Sequence, residues 1–105
     1  MSVTNDLTIE QSQEYQGDDW WSWSVWIDGS EDQLDEVAKV EYTLHPTFRQ
    51  PVRIIETRSN RFRISTEGWG GFPLYARVFR KDGSILKLQH EVRLYYPYGT
   101  RNTSS

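Results

Sequence analysis

The sequence contains no cysteine among its 105 residues. Neither a disulfide framework nor a thiolate metal site can therefore form. The chain also lacks any apolar run near the roughly 18 residues that a membrane span needs. Residues 1–16 lack the basic start and apolar stretch of a signal peptide. We expect a soluble protein with no membrane partner, intracellular, and cytoplasmic if its source is bacterial.

The sequence also has no excess of basic residues over acidic ones. Fifteen acidic and twelve basic side chains give a net charge of -3, which supplies no general attraction to nucleic acid. Nucleic acid is therefore not expected as a partner. In contrast, 14% of the residues are aromatic and five of them are tryptophan, so we expect some of these rings to face a ligand or partner.

Signatures of catalysis are scarce. Only two histidines are present, His45 and His90, and no further ligands stand at a spacing typical of a zinc site. There is no Gly-x-Ser-x-Gly motif, and residues 68–73, which resemble a phosphate loop, end in proline and lead into a strand pattern. We expect no enzymatic activity, no metal and no cofactor. The leucines around His90 predict a hydrogen-bonded core histidine.

Short alternating segments dominate the chain. An apolar period of about 3.6 residues never persists for three turns, whereas about eight alternating segments are separated by turn residues. This pattern predicts an all-β protein, an antiparallel β-sandwich of about eight strands. The length supports one domain, residues 1–105, with a core at about residues 6–96 and a polar, frayed tail at 97–105. We expect a monomer when the domain is isolated.

Alternation also predicts which side chains face the core. In the segment Trp20–Asp28 the odd positions are apolar. The predicted inward residues are Trp21, Trp23, Val25, Ile27, Ala38, Val40, Tyr42, Leu44, Val52, Ile54, Phe62 and Ile64. Residues 29–36 are rich in acids and too few for a stable isolated helix, so they are predicted to form a solvated loop. Residues 81–84 predict a hairpin turn.

Two loops stand out for their chemistry. In residues 44–48 a strand pattern stops at a histidine, a proline, a hydroxyl and an aromatic ring, and Pro46 cannot donate to a sheet ladder. In residues 68–73 one large ring, Trp69, lies among three glycines that let the backbone approach a ligand closely. We predict that the two loops form one site.

The motifs of these loops resemble a known family. Residues 44–48 resemble the Leu-His-Pro-Ser-Phe motif of YEATS domains, and residues 68–72 resemble their Gly-Trp-Gly-Glu-Phe motif. Residues 23–29, 37–42 and 89–94 are similar to the family's framing strands Trp-x-Val-x-Val-x-Gly, Val-x-x-Val-x-Tyr/Phe and His-x-Leu-x-Leu. The likeness covers about residues 20–96, and the compact form looks more like the prokaryotic branch.

YEATS domains are immunoglobulin-fold readers of acylated lysine, and the resemblance implies the same fold and role here. The expected partner is an acetyl- or crotonyl-type acylated lysine in a peptide or protein. The resemblance implies an aromatic channel lined by His45, Thr47, Phe48 and Trp69, with Gly68 and Gly70 at its wall. The family's first loop often adds a further aromatic; here that loop is short and acidic, and Trp20 is the candidate.

Structural explanations of the same residues stay open. Trp69 is also compatible with a plug on the sandwich end, Phe48 with an ordinary core residue, and His45 with a group that braces its loop. The alternative function is a protein-interaction module that keeps the fold but has lost acyl-lysine binding. A carbohydrate-binding sandwich fits the exposed tryptophans but not the loop motifs.

Overall fold

Antiparallel strands form nearly all of the regular secondary structure in a computed structural model that describes residues 7–96 and 102–103. The strands are β1 Thr8–Gly17, β2 Trp20–Asp28, β3 Val37–Thr43, β4 Val52–Ile55, β5 Ile64–Gly68, β6 Phe72–Arg80, β7 Ile85–Val92, β8 Leu94–Tyr95 and β9 Asn102–Thr103. One helix, α1 Glu31–Asp35, lies between β2 and β3, and a 3₁₀ turn covers Arg58–Asn60. No helix of the described residues is long and apolar enough to cross a membrane.

The strands form two sheets that pack face to face. One sheet has the order β1-β2-β5 and the other β4-β3-β6-β7, all pairs being antiparallel, while β8 and β9 pair separately. The predicted antiparallel, immunoglobulin-like β-sandwich is confirmed. The odd residues of β2 are at most 2% exposed, as the alternation predicts.

Two tight turns follow from local sequence. The hairpin at residues 81–84 joins β6 to β7 as predicted, with Gly83 at φ +94°. The β1–β2 connection places Asp18 and Asp19 at φ +55° and +58°. Positive φ at both central residues is the geometry that matches the twist of a two-residue hairpin. The first loop is therefore as short as a hairpin allows.

The predicted inward face of β3 is wrong at its first residue. Val37 is buried and Ala38 is exposed, because a bulge between Val37 and Lys39 shifts the register against β6. One extra residue reverses the side on which earlier side chains lie. Beyond the bulge, Val40 and Tyr42 are fully buried, as predicted.

The prediction of which side chains face the core is also wrong for β4. Val52 and Ile54 are 50% and 54% exposed, because they stand opposite Thr43 and Glu41 on the outer face of β3. Ile55, opposite Val40, lies on the inner face instead. Phe62 is buried as predicted but precedes β5, with φ at +57°, and its carbonyl accepts a 2.7 Å hydrogen bond from the Tyr42 hydroxyl.

The predicted loop at residues 29–36 contains a helix. Ser30 caps α1, accepting from the backbone N–H of Gln33 at 3.1 Å, and the Gln33 side chain accepts from the backbone N–H of Ser30 at 2.9 Å. This reciprocal pair is a capping box. Leu34 is fully buried, so tertiary packing stabilises a helix too short to form alone.

Two further expectations concern the end of the chain. His90 is partly buried and hydrogen-bonded, with Nε2 donating to Oε1 of Gln11 on β1 at 2.7 Å, and burial lowers its pKa. Of the predicted frayed tail, Asn102–Thr103 pairs with β8 and so forms a strand. The remaining residues of 97–105, and residues 1–6, lie outside the described part of the chain.

Candidate functional site

The two motif loops meet at one end of the sandwich. The first follows β3 and is closed by a hydrogen bond from Leu44 N to Pro51 O. The second joins β5 to β6. Because the end of β3 pairs with the start of β6, with Thr43 opposite Tyr75, the loops emerge side by side. The sheet register thus brings together motifs that lie about twenty residues apart in the chain.

A cavity of about 510 Å³ opens between these loops. Its walls contain every site residue that the sequence suggested: Trp20, His45, Thr47, Phe48, Gly68, Trp69 and Gly70. Four further residues line it: Gly71 and Phe72, which belong to the second predicted loop but were not named as site residues, and Arg49 and Glu67, which the prediction did not include. The two loops that were predicted to lie together thus line one concave surface.

A larger trough of about 710 Å³ lies on the outer face of the β1-β2-β5 sheet. Its lining is mainly small and polar, with four serines, two glutamates and Arg63. Ligand sites usually combine an aromatic or apolar lining with a few placed polar groups. The end cavity has that composition and the trough does not, so we take the smaller cavity as the candidate site.

Packed rings form the rigid side of the cavity. The ring of Phe48 lies 5.5 Å from that of Phe72, and Phe72 lies 5.5 Å from Trp23 and 6.2 Å from His45. These separations suit edge-on or tilted aromatic pairs. Phe72 is only 4% exposed, so it anchors Phe48 to the core. The sequence signal for Phe72 was its position at the end of the second motif.

Trp69 forms the solvent-exposed side of the cavity. Its indole is 62% exposed, so it is not the buried plug that the sequence left open as an explanation. A large ring held at a cavity mouth by a glycine-rich loop is available for contact with a ligand.

His45 and Thr47 form a small polar unit in the lining. The backbone N–H of Thr47 donates to Nδ1 of His45 at 3.3 Å, and the Thr47 hydroxyl lies 3.0 Å from the same nitrogen. In the neutral tautomer that carries its hydrogen on Nε2, Nδ1 accepts from the backbone N–H, and the Thr47 hydroxyl shares that nitrogen as a second donor. The lone pairs of the Thr47 oxygen are then left to accept a hydrogen bond. His45 therefore braces its loop and orients Thr47.

Trp20 forms a third side of the cavity. It begins β2 directly after the tight turn, and its indole N–H donates to Oε1 of Glu67 at 3.0 Å. The indole is 40% exposed. Glu67 and Arg49 give the rim one charge of each sign. Among the described residues no group of three or more His, Asp or Glu is placed to hold a metal ion.

The fold and this cavity define a class: a β-sandwich with an aromatic cavity between its end loops. Comparison with known proteins then gives the family. The model of the prokaryotic YEATS domain matches residues 21–93. The chain therefore belongs to the YEATS domain family, in its prokaryotic branch.

Eukaryotic proteins are also similar to this chain in sequence. The chain is 34% identical over 107 residues to an AF-9 homolog of Schizosaccharomyces pombe, with 94% of this chain and 48% of that protein aligned. It is 34% identical over 91 residues to transcription initiation factor TFIID subunit 14b of Arabidopsis thaliana, with 82% of this chain and 32% of that protein aligned. The chain thus spans half or less of the length of these relatives.

Solved YEATS domains share the fold. The Yaf9 YEATS domain recognizing an H3K122suc peptide superposes with a TM-score of 0.64 at 27% identity, covering 85% of this chain and 69% of that one. The Yaf9 YEATS domain bound to H3K27ac gives a TM-score of 0.70 at 23% identity, covering 93% of this chain and 80% of that one. The two structures thus show the Yaf9 YEATS domain with two different ligands, an H3K122suc peptide and H3K27ac.

Proposed function

We propose that this domain is a non-catalytic module that binds an acylated lysine, of acetyl or crotonyl type, in a peptide or protein. The observation that supports this function best is the end cavity, which combines Phe48, Trp69 and the hydroxyl of Thr47. Membership of the YEATS family and the peptide recognised by a relative of 27% identity support the same function.

Acylation converts a charged ammonium into a flat amide that has an apolar tail. In the proposed complex the amide plane lies between Phe48 and Trp69. Its N–H donates to the Thr47 hydroxyl, and a backbone N–H beside Trp69 donates to the acyl oxygen. Unmodified lysine is disfavoured because it would lose the hydration of its ammonium among rings, and the lining carboxylate, Glu67, is already paired with Trp20.

The contacts predict modest affinity. Two aromatic contacts at about 0.5–1.5 kcal/mol each and two hydrogen bonds of similar net value sum to about 2–6 kcal/mol. Part of this free energy is offset by the translational and rotational freedom that the peptide loses on binding. The dissociation constant of the acyl-lysine contacts alone is therefore expected in the millimolar range or weaker. Residues on either side of the lysine must supply further contacts.

The test is a calorimetric titration of the domain with matched acetyl-, crotonyl- and unmodified-lysine peptides. We expect the acylated peptides to bind and the unmodified one not to. Trp69→Ala should abolish the difference. Trp26→Ala is the matched control, because Trp26 lies outside the cavity on the outer face of β2, where Arg63 stacks on it at 4.9 Å. Equal or absent binding of all three peptides would remove the proposal.

A second candidate is a protein-interaction module that no longer distinguishes acylated lysine. The 62% exposure of Trp69 favours it, since exposed tryptophans are frequent anchors of protein interfaces. The same titration separates the two candidates: this module would bind a partner peptide through Trp69 regardless of acylation.

A further inference from the structure

A continuous concave track leaves the end cavity on the side of Arg49. This residue lines both the cavity and a depression of about 540 Å³ whose other walls are Gln50 and Arg53. Gln50 and Arg53 also line a groove of about 520 Å³ that follows residues 50–55, which include all of β4. A peptide whose lysine enters the cavity therefore has a path for its flanking residues along β4.

Two arginines of this track carry charges that the domain does not neutralise. Arg49 and Arg53 form no ion pair with any acidic side chain of the described residues, whereas Arg58 and Arg61 are both ion-paired. Nε of Arg53 donates to the backbone carbonyl of Gln50 at 3.0 Å, which keeps the guanidinium beside the depression. A guanidinium binds a carboxylate through charge-assisted hydrogen bonds. The track thus fits an acidic ligand.

The outer edge of β4 is open. Among the described strands β3 is its single neighbour, and the bond from Leu44 N to Pro51 O marks these two residues as a hydrogen-bonded pair of their ladder. Bonded and non-bonded pairs alternate along an antiparallel ladder, so Val52 and Ile54 belong to non-bonded pairs. Their backbone N–H and C=O groups therefore point away from β3, at an edge to which an extended peptide can add as a strand.

We propose that the residues flanking the acylated lysine lie in this track as a strand added to β4, and that the preferred flank carries acidic residues that pair with Arg49 and Arg53. The inference rests on the proposed acyl-lysine function and adds the peptide sequence that the site prefers. Residues 49–53 cover at most about 14 Å of extended chain, so the acidic residues lie within about four positions of the lysine. Glu67, the acid of the cavity lining, belongs to β5 in the opposite sheet. The charge of the site thus changes sign from one sheet to the other.

The test of the charge preference uses acetyl-lysine peptides of equal length. Two glutamates, two glutamines or two lysines are placed within four positions of the lysine, in separate peptides for its N-terminal and C-terminal sides. On one side, wild type should bind the glutamate peptide roughly two- to thirtyfold more tightly than the glutamine peptide, the range for two exposed ion pairs. The lysine peptide should bind most weakly, and added salt should reduce the differences.

Arginine variants assign this preference to the track. Arg53→Gln, outside the cavity lining, should reduce the preference, and the double variant with Arg49→Gln should abolish it while still binding the glutamine peptide. Arg63→Gln is the matched control, because it makes the same charge change as Arg53→Gln where Arg63 stacks on Trp26, outside the track. It should leave the preference intact.

Ile54→Pro tests the pairing with β4. Proline removes the N–H that points to the open edge and no hydrogen bond to β3, and edge strands tolerate it at such positions. Both the glutamate and the glutamine peptide should bind roughly two- to thirteenfold more weakly, the range for one lost hydrogen bond. Urea unfolding checks that the variant is folded. Peptides with N-methylated flanking amides give the same test on the wild-type domain.

The outcomes separate this inference from the proposed function. Equal wild-type binding of the glutamate and glutamine peptides, a preference that survives in the double arginine variant, or full binding in both pairing tests would overturn the inference alone. A wild-type dimer in light scattering that dissociates in Ile54→Pro would also overturn it, because a second copy would then occupy the edge. Equal binding of acetylated and unmodified glutamate peptides would instead remove the proposed function.

Discussion

Thr47→Val tests the polar unit of the site. Valine has nearly the shape of threonine but no hydroxyl, so it removes the acceptor proposed for the lysine amide without opening a hole. The backbone N–H of residue 47 keeps its bond to Nδ1 of His45, and the loop should hold its form. A neutral hydrogen bond is worth about 0.5–1.5 kcal/mol net. We expect acetyl-lysine peptide binding to weaken by roughly two- to thirteenfold, near the lower end because the site is open to water.

The matched control is Thr47→Ser, which retains the hydroxyl and loses only the methyl group. Calorimetric titration of the three proteins with one acetyl-lysine peptide gives the comparison. Serine should bind within about twofold of wild type, because the hydrogen bond is the larger contribution. The reasoning is refuted if valine binds as tightly as threonine, or if serine binds more weakly than valine.

Two predictions concern the stability of the fold that holds the site. Tyr42→Phe removes the hydroxyl that donates to the Phe62 carbonyl at 2.7 Å in the fully buried core, so the free energy of unfolding in urea should fall by about 1–3 kcal/mol. His90→Gln should flatten the pH dependence of stability. Burial lowers the pKa of His90 below its ordinary 6.5, so its contribution is complete above pH 6.5 and is lost as pH falls through the lowered folded-state pKa.

Each stability prediction has its own control. Tyr75→Phe removes a hydroxyl from a tyrosine that is 48% exposed, and it should leave the urea midpoint nearly unchanged. If both tyrosine variants lose equal stability, the buried hydrogen bond is not the cause. For His90, the informative quantity is the difference between wild-type and variant unfolding free energies from pH 8 to pH 5. A difference that stays constant over this range contradicts the assigned linkage.

The alternation of apolar and polar residues predicts the buried face of a strand that is central and regular. It fails for an edge strand and at a bulge. In β2 the four odd positions are buried because neighbours on both sides fix the register. β4 has β3 as its single neighbour among the described strands. Its sequence, Val-Arg-Ile-Ile, has apolar residues at both odd and even positions. Periodicity cannot choose between the two faces of such a strand. The bulge in β3 has no simple sequence signal.

The helix was predictable from information already in the chain. Ser30 and Gln33 have the spacing of a capping box, which marks the start of a helix. Length alone argued against it, because an isolated helix of five residues is unstable in water. The burial of Leu34 provides the missing stabilisation, and it depends on the rest of the fold.

The proximity of the two loops was predicted better than the inward faces of some strands. The sheet register brings the two loop motifs together, whereas Glu67 enters the lining only through the geometry of β5.

The third wall of the cavity remains the most distinctive feature of this chain. Its first loop is reduced to the turn at Asp18 and Asp19, and Trp20 comes directly after it with its N–H on Glu67 at 3.0 Å. If Trp20 contacts the acyl chain, Trp20→Ala should weaken acetyl-lysine peptide binding by about 0.5–1.5 kcal/mol, or roughly two- to thirteenfold. Glu67→Gln keeps an acceptor for the indole N–H and should change binding less. Unchanged affinity in Trp20→Ala, alongside loss in Trp69→Ala, would mean that the pocket binds its ligand with two walls and that Trp20 only packs against the hairpin.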